Sequence, residues 1–124
     1  VSADPKNGIE GGYVRQVPDV VLLYAAVSAS GSGANILVAA VAARRICVCN
    51  YLIVAAGAVG VKWVRGSTDI SGVMQVAATG GVATTVASPG LGPLFKTGVN
   101  EDLVLNLSAA VSVGGHLSYY LEVA

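Results

Sequence analysis

The sequence predicts an all-β domain, a two-sheet antiparallel β-sandwich of jelly-roll type with an extended N-terminal arm, and three observations carry that prediction. From Val20 onward, short Val- and Ile-rich runs alternate with clusters of Gly, Ser, Asn and Pro, the spacing of strands and chain reversals rather than of helices. Hydrophobic residues make up 54% of the chain but aromatics only 6%, so the apolar mass lies in small and branched side chains that suit packed sheets. The chain has 124 residues, enough for one domain with its own core.

Residues 1–19 hold Pro5, Gly8, Gly11, Gly12 and Pro18 with several of the early charges and show no apolar periodicity, so they are expected to form an arm ahead of a sandwich domain at 20–124. Eight strands are expected: Val20–Ala29, Ala34–Ala40, Arg45–Ala55, Val59–Arg65, Val73–Ala78, Val82–Ala87, Leu103–Ser108 and Gly115–Val123. Their breakers are Ser30-Gly31-Ser32-Gly33, Ala56-Gly57-Ala58, Gly66-Ser67-Thr68-Asp69, Thr79-Gly80-Gly81, Ser88-Pro89-Gly90 and Gly114-Gly115, each of a composition that reverses the chain. The segment Ala34–Ala43 also fits a short helix, because Ala and Leu favour one.

Alternation within the strands nominates the core. Leu103, Leu105 and Leu107 share a face, as do Leu117, Tyr119, Leu121 and Val123. In the third strand Ile46, Val48, Leu52 and Val54 fall on one side and Cys47, Cys49, Tyr51 and Ile53 on the other. Both sides are apolar, which places that strand at the centre of a sheet or against a partner.

Charge narrows the functions. Charged residues amount to 11%, with seven basic against seven acidic, so no field concentrates the chain on nucleic acid or anionic lipid. The N-terminus lacks the basic and apolar regions of a secretory signal, and the apolar stretch Ile46–Val61, interrupted by Asn50 and two glycines, falls short of the ~20 residues of a spanning helix. No nucleic-acid or membrane partner is expected. A mean hydropathy of +0.70 instead points to buried contacts between subunits.

No set of residues makes a catalytic or metal site. His116, the one histidine, stands on the outward face of the last strand and reads as an exposed or interface side chain. Cys47 and Cys49, two apart in a strand, point to the same face at about 6.5–7 Å, too far for an unstrained disulfide, and read as buried free thiols. With one histidine they fall short of the four ligands of a zinc site. The carboxylates Asp4, Glu10, Asp19, Asp69, Glu101, Asp102 and Glu122 are scattered apart from Glu101-Asp102, which reads as a solvated turn. Gly31-Ser32-Gly33 and Gly90-Leu91-Gly92 lack the Lys-Ser/Thr continuation of a phosphate loop. Arg44-Arg45 suits salt bridging at a strand start, and Trp63 a place in the core or an interface. No catalytic, cofactor-binding or metal residues are therefore assigned, and the chain is not expected to be an enzyme.

Two stretches carry a family resemblance: Arg44–Gly81, RRICVCNYLIVAAGAVGVKWVRGSTDISGVMQVAATGG, and Gly98–Val123, GVNEDLVLNLSAAVSVGGHLSYYLEV. In order they hold a basic strand start (Arg44-Arg45), an AAGAV turn (Ala55–Val59), a W-x-x-GST step (Trp63–Thr68), an L-x-L-x-L run (Leu103–Leu107) and a G-G-H-L-x-Y strand (Gly114–Tyr119). The chain resembles small structural β-sandwich proteins of tailed bacteriophages. The resemblance implies a virion protein, often a homotrimer, that sits on the outer surface of the capsid against the major capsid protein as a decoration or cement protein. It carries over no catalytic residue and leaves out the arm. The alternative is a tail or fibre domain that recognises a host surface glycan, with Trp63, Tyr51, Tyr119 or Tyr120 as a stacking platform.

Overall fold

A computed structural model describes residues 21–85 and 92–123. The arm at 1–19, Ser88-Pro89-Gly90, and the ends of the strands expected at Val20–Ala29 and Val82–Ala87 lie wholly or partly outside these residues. Ten strands form, and no helix among the described residues; none is therefore long and apolar enough to cross a membrane. They are β1 (Leu23–Ala29), β2 (Gly33–Val38), β3 (Arg44–Ala55), β4 (Val59–Arg65), β5 (Thr68–Asp69), β6 (Met74–Val76), β7 (Gly81–Ala83), β8 (Phe95–Lys96), β9 (Leu103–Leu107) and β10 (Val113–Val123).

The strands make two antiparallel sheets. The first runs β1-β10-β3 and ends on β7 and β8, which share the far side of β3; the second runs β2-β9-β4 and ends on β5 and β6, which share the far side of β4. If each pair of short pieces is taken as one interrupted edge strand, consecutive strands alternate between sheets except from β4 to β5 and β6, which stay in one sheet, and wind in the order of a jelly roll, two four-stranded layers in a β-sandwich. All eight expected strands are present. Thr68–Asp69 and Phe95–Lys96 were not foreseen, because a two-residue strand has no periodicity to read.

The core fills the space between the sheets. Ile46, Val48, Tyr51, Ile53 and Ala55 of β3 meet Val59, Val61 and Trp63 of β4, the three leucines of β9, and Val113 and Leu117 of β10. Trp63 is its largest fully buried side chain, packed at 4.8 Å from the Tyr51 ring and 5.4 Å from Phe95. These tilted contacts join the sheets, since Tyr51 and Phe95 belong to the first and Trp63 to the second.

Two expectations are corrected. Gly114-Gly115 does not reverse the chain: both lie inside β10, and residues 108–112 make the turn. Gly115 pairs with Val27 on one side and Ile53 on the other, with φ at 149°. A Cβ there would run into the Leu52 carbonyl oxygen. The glycine is thus required by the close passage of three strands rather than by a turn.

The second correction concerns β3. Its pairing with β10 shifts register where Val48 meets Tyr119 and Asn50 meets Ser118, leaving Cys49 unmatched. This β-bulge reverses the phase of alternation. Ile46 and Val48 point inward before it, and Tyr51 and Ile53 after it, so Leu52 and Val54 fall on the outer face instead of joining Ile46 and Val48.

Candidate functional surface

The charged side chains of the described residues are unevenly placed. Arg44, Arg45, Lys96 and Glu122 sit at one end of the first sheet, and Arg65, Glu101 and Asp102 at the same end of the second. Lys62, at mid-strand in β4, directs its ammonium to Asp69 of β5 at 3.1 Å. The opposite end of the sandwich is built from 30–32, 56–58, 77–80 and 108–112, all Ala, Gly, Ser, Thr and Val, and bears no formal charge. A groove of about 410 Å³ opens there, lined by Ala58, Val59, Gly60, Gln75, Val76, Ala77 and Ser108.

The uncharged region continues onto the outer face of the first sheet, where register fixes three rows. Tyr24, Ser118 and Asn50 form the first; Ala26, His116, Leu52 and Ala83 the second; Ser28, Gly114, Val54 and Gly81 the third. Tyr24 is 74% exposed and Val54 46%. A solvated sheet face ordinarily carries polar side chains at alternate positions; here the three rows hold no carboxylate, ammonium or guanidinium group. The Ser118 hydroxyl bonds to Asn50 Oδ1, tying β10 to β3 across the bulge.

Further along that face the thiols are enclosed. Cys47 stands between Lys96 of β8 and Tyr120 of β10, and the Lys96–Glu122 ion pair at 3.1 Å spans β3. Arg45 joins Glu122 at 3.7 Å, which is the salt bridge expected of the basic strand start. Cys47, Cys49 and Tyr120 form a small cluster apart from the main core, both cysteines unbonded and fully buried. Burial, and then the Glu122 carboxylate, push the Cys47 thiol up; burial alone raises Cys49. Burial and the neighbouring Cys47 push the Tyr120 phenol up to about 12.

These shifts predict the alkaline behaviour of the fold. Ionised forms are favoured by unfolding, so the stability contributed is complete below the ordinary thiol and phenol values of 9.0 and 10.0 and is lost as pH rises through the raised folded-state values. Circular dichroism against pH is expected to show stability falling above about pH 9, with the fall reduced in Tyr120→Phe. Ellman's reagent is expected to find no thiol in the native chain and two after denaturation. Prompt native reaction would show that the thiols are accessible.

Other expected positions resolve plainly. His116 is exposed on β10 beside Ala26 and Leu52, four residues along the strand from the Cys47 partner Tyr120, and it joins no catalytic cluster. Among the described residues no group of three His, Cys, Asp or Glu side chains is placed to hold a metal ion. Trp63, Tyr51 and Tyr120 are buried, and Tyr119 packs its ring against the core, so none of the four offers a free face to a sugar. Asn35, in the strand after Gly31-Ser32-Gly33, bonds to Gly31 and Gly33 carbonyls, making that loop an ordinary turn. Gly90 and Leu91 lie outside the described residues.

Glu101-Asp102 is not a solvated turn. Both are half-buried. Asp102 Oδ1 accepts the Ala40 N–H at 2.7 Å, and Glu101 Oε1 accepts the Gly98 N–H and pairs with Arg65 at 3.3 Å. Asn100 Oδ1 accepts the Ala43 N–H. This loop stitches together the charged end, a role invisible in sequence because every bond but one reaches a residue at least 36 positions away.

No family model, curated protein or solved structure matches this chain. What its own geometry defines is a class: a jelly-roll sandwich with one charged end and one uncharged end, the uncharged surface extending over a sheet face.

Proposed function

We propose that the chain is a capsid decoration, or cement, protein of a tailed bacteriophage, bound to the major capsid protein on the outer surface of the virion and stabilising the shell through subunit contacts, with self-association into a homotrimer. The observation that carries this reading is the uncharged half of the sandwich. A surface of Ala, Gly, Ser, Val and Leu is covered by a partner without stranding ions away from water, whereas an isolated soluble domain gains little from leaving it bare. Jelly-roll winding supports the reading as an analogy of fold, and so does the resemblance of Arg44–Gly81 and Gly98–Val123 to phage structural proteins. Many weak contacts on a lattice add through avidity.

Recognition of a glycan by the aromatic residues is the less supported reading, since the named rings are turned into the protein. Electron microscopy of undecorated shells mixed with the purified chain tests the proposal. Regular added density at symmetry-related positions is expected. Bare shells, with selective binding on a glycan array, would replace it with the adsorption reading.

A further inference from the structure

We infer that Cys47 and Cys49, with Tyr120 beside them, form a binding site for one soft monovalent cation of the copper(I) kind, held between the two sulfurs. The site is separate from the surfaces that the assembly reading uses and stands independently of it.

The backbone of β3 brings the two sulfurs together. Cys47 and Cys49 are two apart in the strand, and Ile46 and Val48 beside them enter the core, so both thiols are directed to the outer face. There they form, with Tyr120 of β10, a buried cluster apart from the main core. Cys49 is the residue that the bulge leaves unmatched, and bulges commonly re-aim a single side chain. Same-face Cα atoms lie about 6.5–7 Å apart. Two metal–thiolate bonds of about 2.3 Å set end to end span ~4.6 Å, a length that the two side chains reach by leaning toward each other.

The number and kind of donors choose the ion. Zinc takes four ligands, and among the described residues no third His, Cys, Asp or Glu joins the two thiols. Magnesium and calcium take oxygen donors. Two thiolates with no further ligand suit a soft ion that accepts linear coordination, and thiolate is a donor that selects copper(I).

Charge agrees with this choice. On binding, both thiol protons pass to water and the cation takes their place; no electron moves. Two thiolates and one singly charged cation leave one negative charge in the site. The Tyr120 phenol and the Lys96 ammonium both favour the ionised form of Cys47, so they support that charge where it forms. Glu122 opposes it, but its carboxylate is already paired with Lys96 at 3.1 Å and Arg45 at 3.7 Å. Burial keeps the thiols protonated at neutral pH, and the same exclusion of water strengthens their attraction to a cation that replaces the protons. The way in passes the Lys96–Glu122 pair, whose side chains are 48% and 39% exposed and swing aside without moving a strand.

Anaerobic titration of the full chain against the coloured bathocuproine disulfonate complex of copper(I) tests the inference, with Cys47→Ala, Cys49→Ala and the double variant alongside. Circular dichroism checks that each variant keeps the fold. Wild type is expected to draw one copper per chain from the chelator and to melt at a higher temperature with copper bound. Each single variant, having lost a ligand outright, is expected to bind more weakly by at least the roughly 10–100-fold that loss of a supporting group costs, and the double variant not at all. X-ray absorption of the loaded wild type is expected to show two sulfur neighbours, and it decides the matter should a variant fail to fold. No transfer of copper to wild type overturns the inference, as do one copper per two chains and undiminished binding in either single variant. A melting temperature lowered by copper overturns it too, because the ion would then be bound by the unfolded chain alone.

Discussion

Trp63→Ala is expected to lower unfolding stability by about 3–5 kcal/mol, a large part of the total for a domain of this size. The side chain is 1% exposed and bridges the layers through Tyr51 and Phe95, so its removal opens a cavity at the join between sheets. The surrounding strands cannot close over it, because β4 is held by β9 on one side and by β5 and β6 on the other. Trp63→Phe is expected to cost much less. Most of the packing survives, and the indole N–H has no partner among the described residues, so no hydrogen bond is lost. Urea denaturation of the two variants checks both statements; equal losses would show that the indole makes a polar contact that matters.

Gly115→Ala is expected to be at least as damaging. A φ of 149° is strained for any side chain, worth about 1–3 kcal/mol, and the added Cβ meets backbone rather than a movable side-chain tip. Overpacking of this kind adds about 1–3 kcal/mol more. Gly33→Ala separates the two contributions. Gly33 also has positive φ, at 92°, but a Cβ there meets nothing within 4 Å, so it bears the conformational cost alone. Measured midpoints should order as wild type, Gly33→Ala, then Gly115→Ala; a reversed order would mean that β10 gives way readily at Gly115.

The strand pattern was legible because most of the fold is written in period two. β9 shows this best: Leu103, Leu105 and Leu107 alternate and all three enter the core. The same rule failed on β3, where a single unmatched residue, Cys49, changed the phase. A bulge depends on the partner strand, and local sequence carries no mark of it. Gly114-Gly115 misled for a related reason. Two adjacent glycines fit a hairpin turn by composition, yet what requires a glycine at 115 is the Leu52 carbonyl on a neighbouring strand more than 60 positions earlier.

The surface was less legible than the core. Low charge content forecast that part of the exterior would be covered, but it did not say which part. Nor did it show how the uncharged residues are grouped: winding gathers Leu52, Val54, Gly81, Ala83, Gly114 and His116 from three separate segments onto adjoining strands. The aromatic residues show the converse. Trp63, Tyr51 and Tyr120 serve equally well in sequence as a core or as a binding platform, and only their burial distinguishes the two.

The separation of ions from the uncharged end has a consequence for how contacts respond to their surroundings. Attraction between ionic patches weakens as salt shortens the screening length, to about 3 Å at molar strength. A surface without ions has no such dependence. Contacts made through it derive from release of water, so salts excluded from protein surfaces strengthen them and cooling weakens them. An assembly joined through that end would keep its cohesion from dilute medium to brine, and would loosen in the cold sooner than in salt.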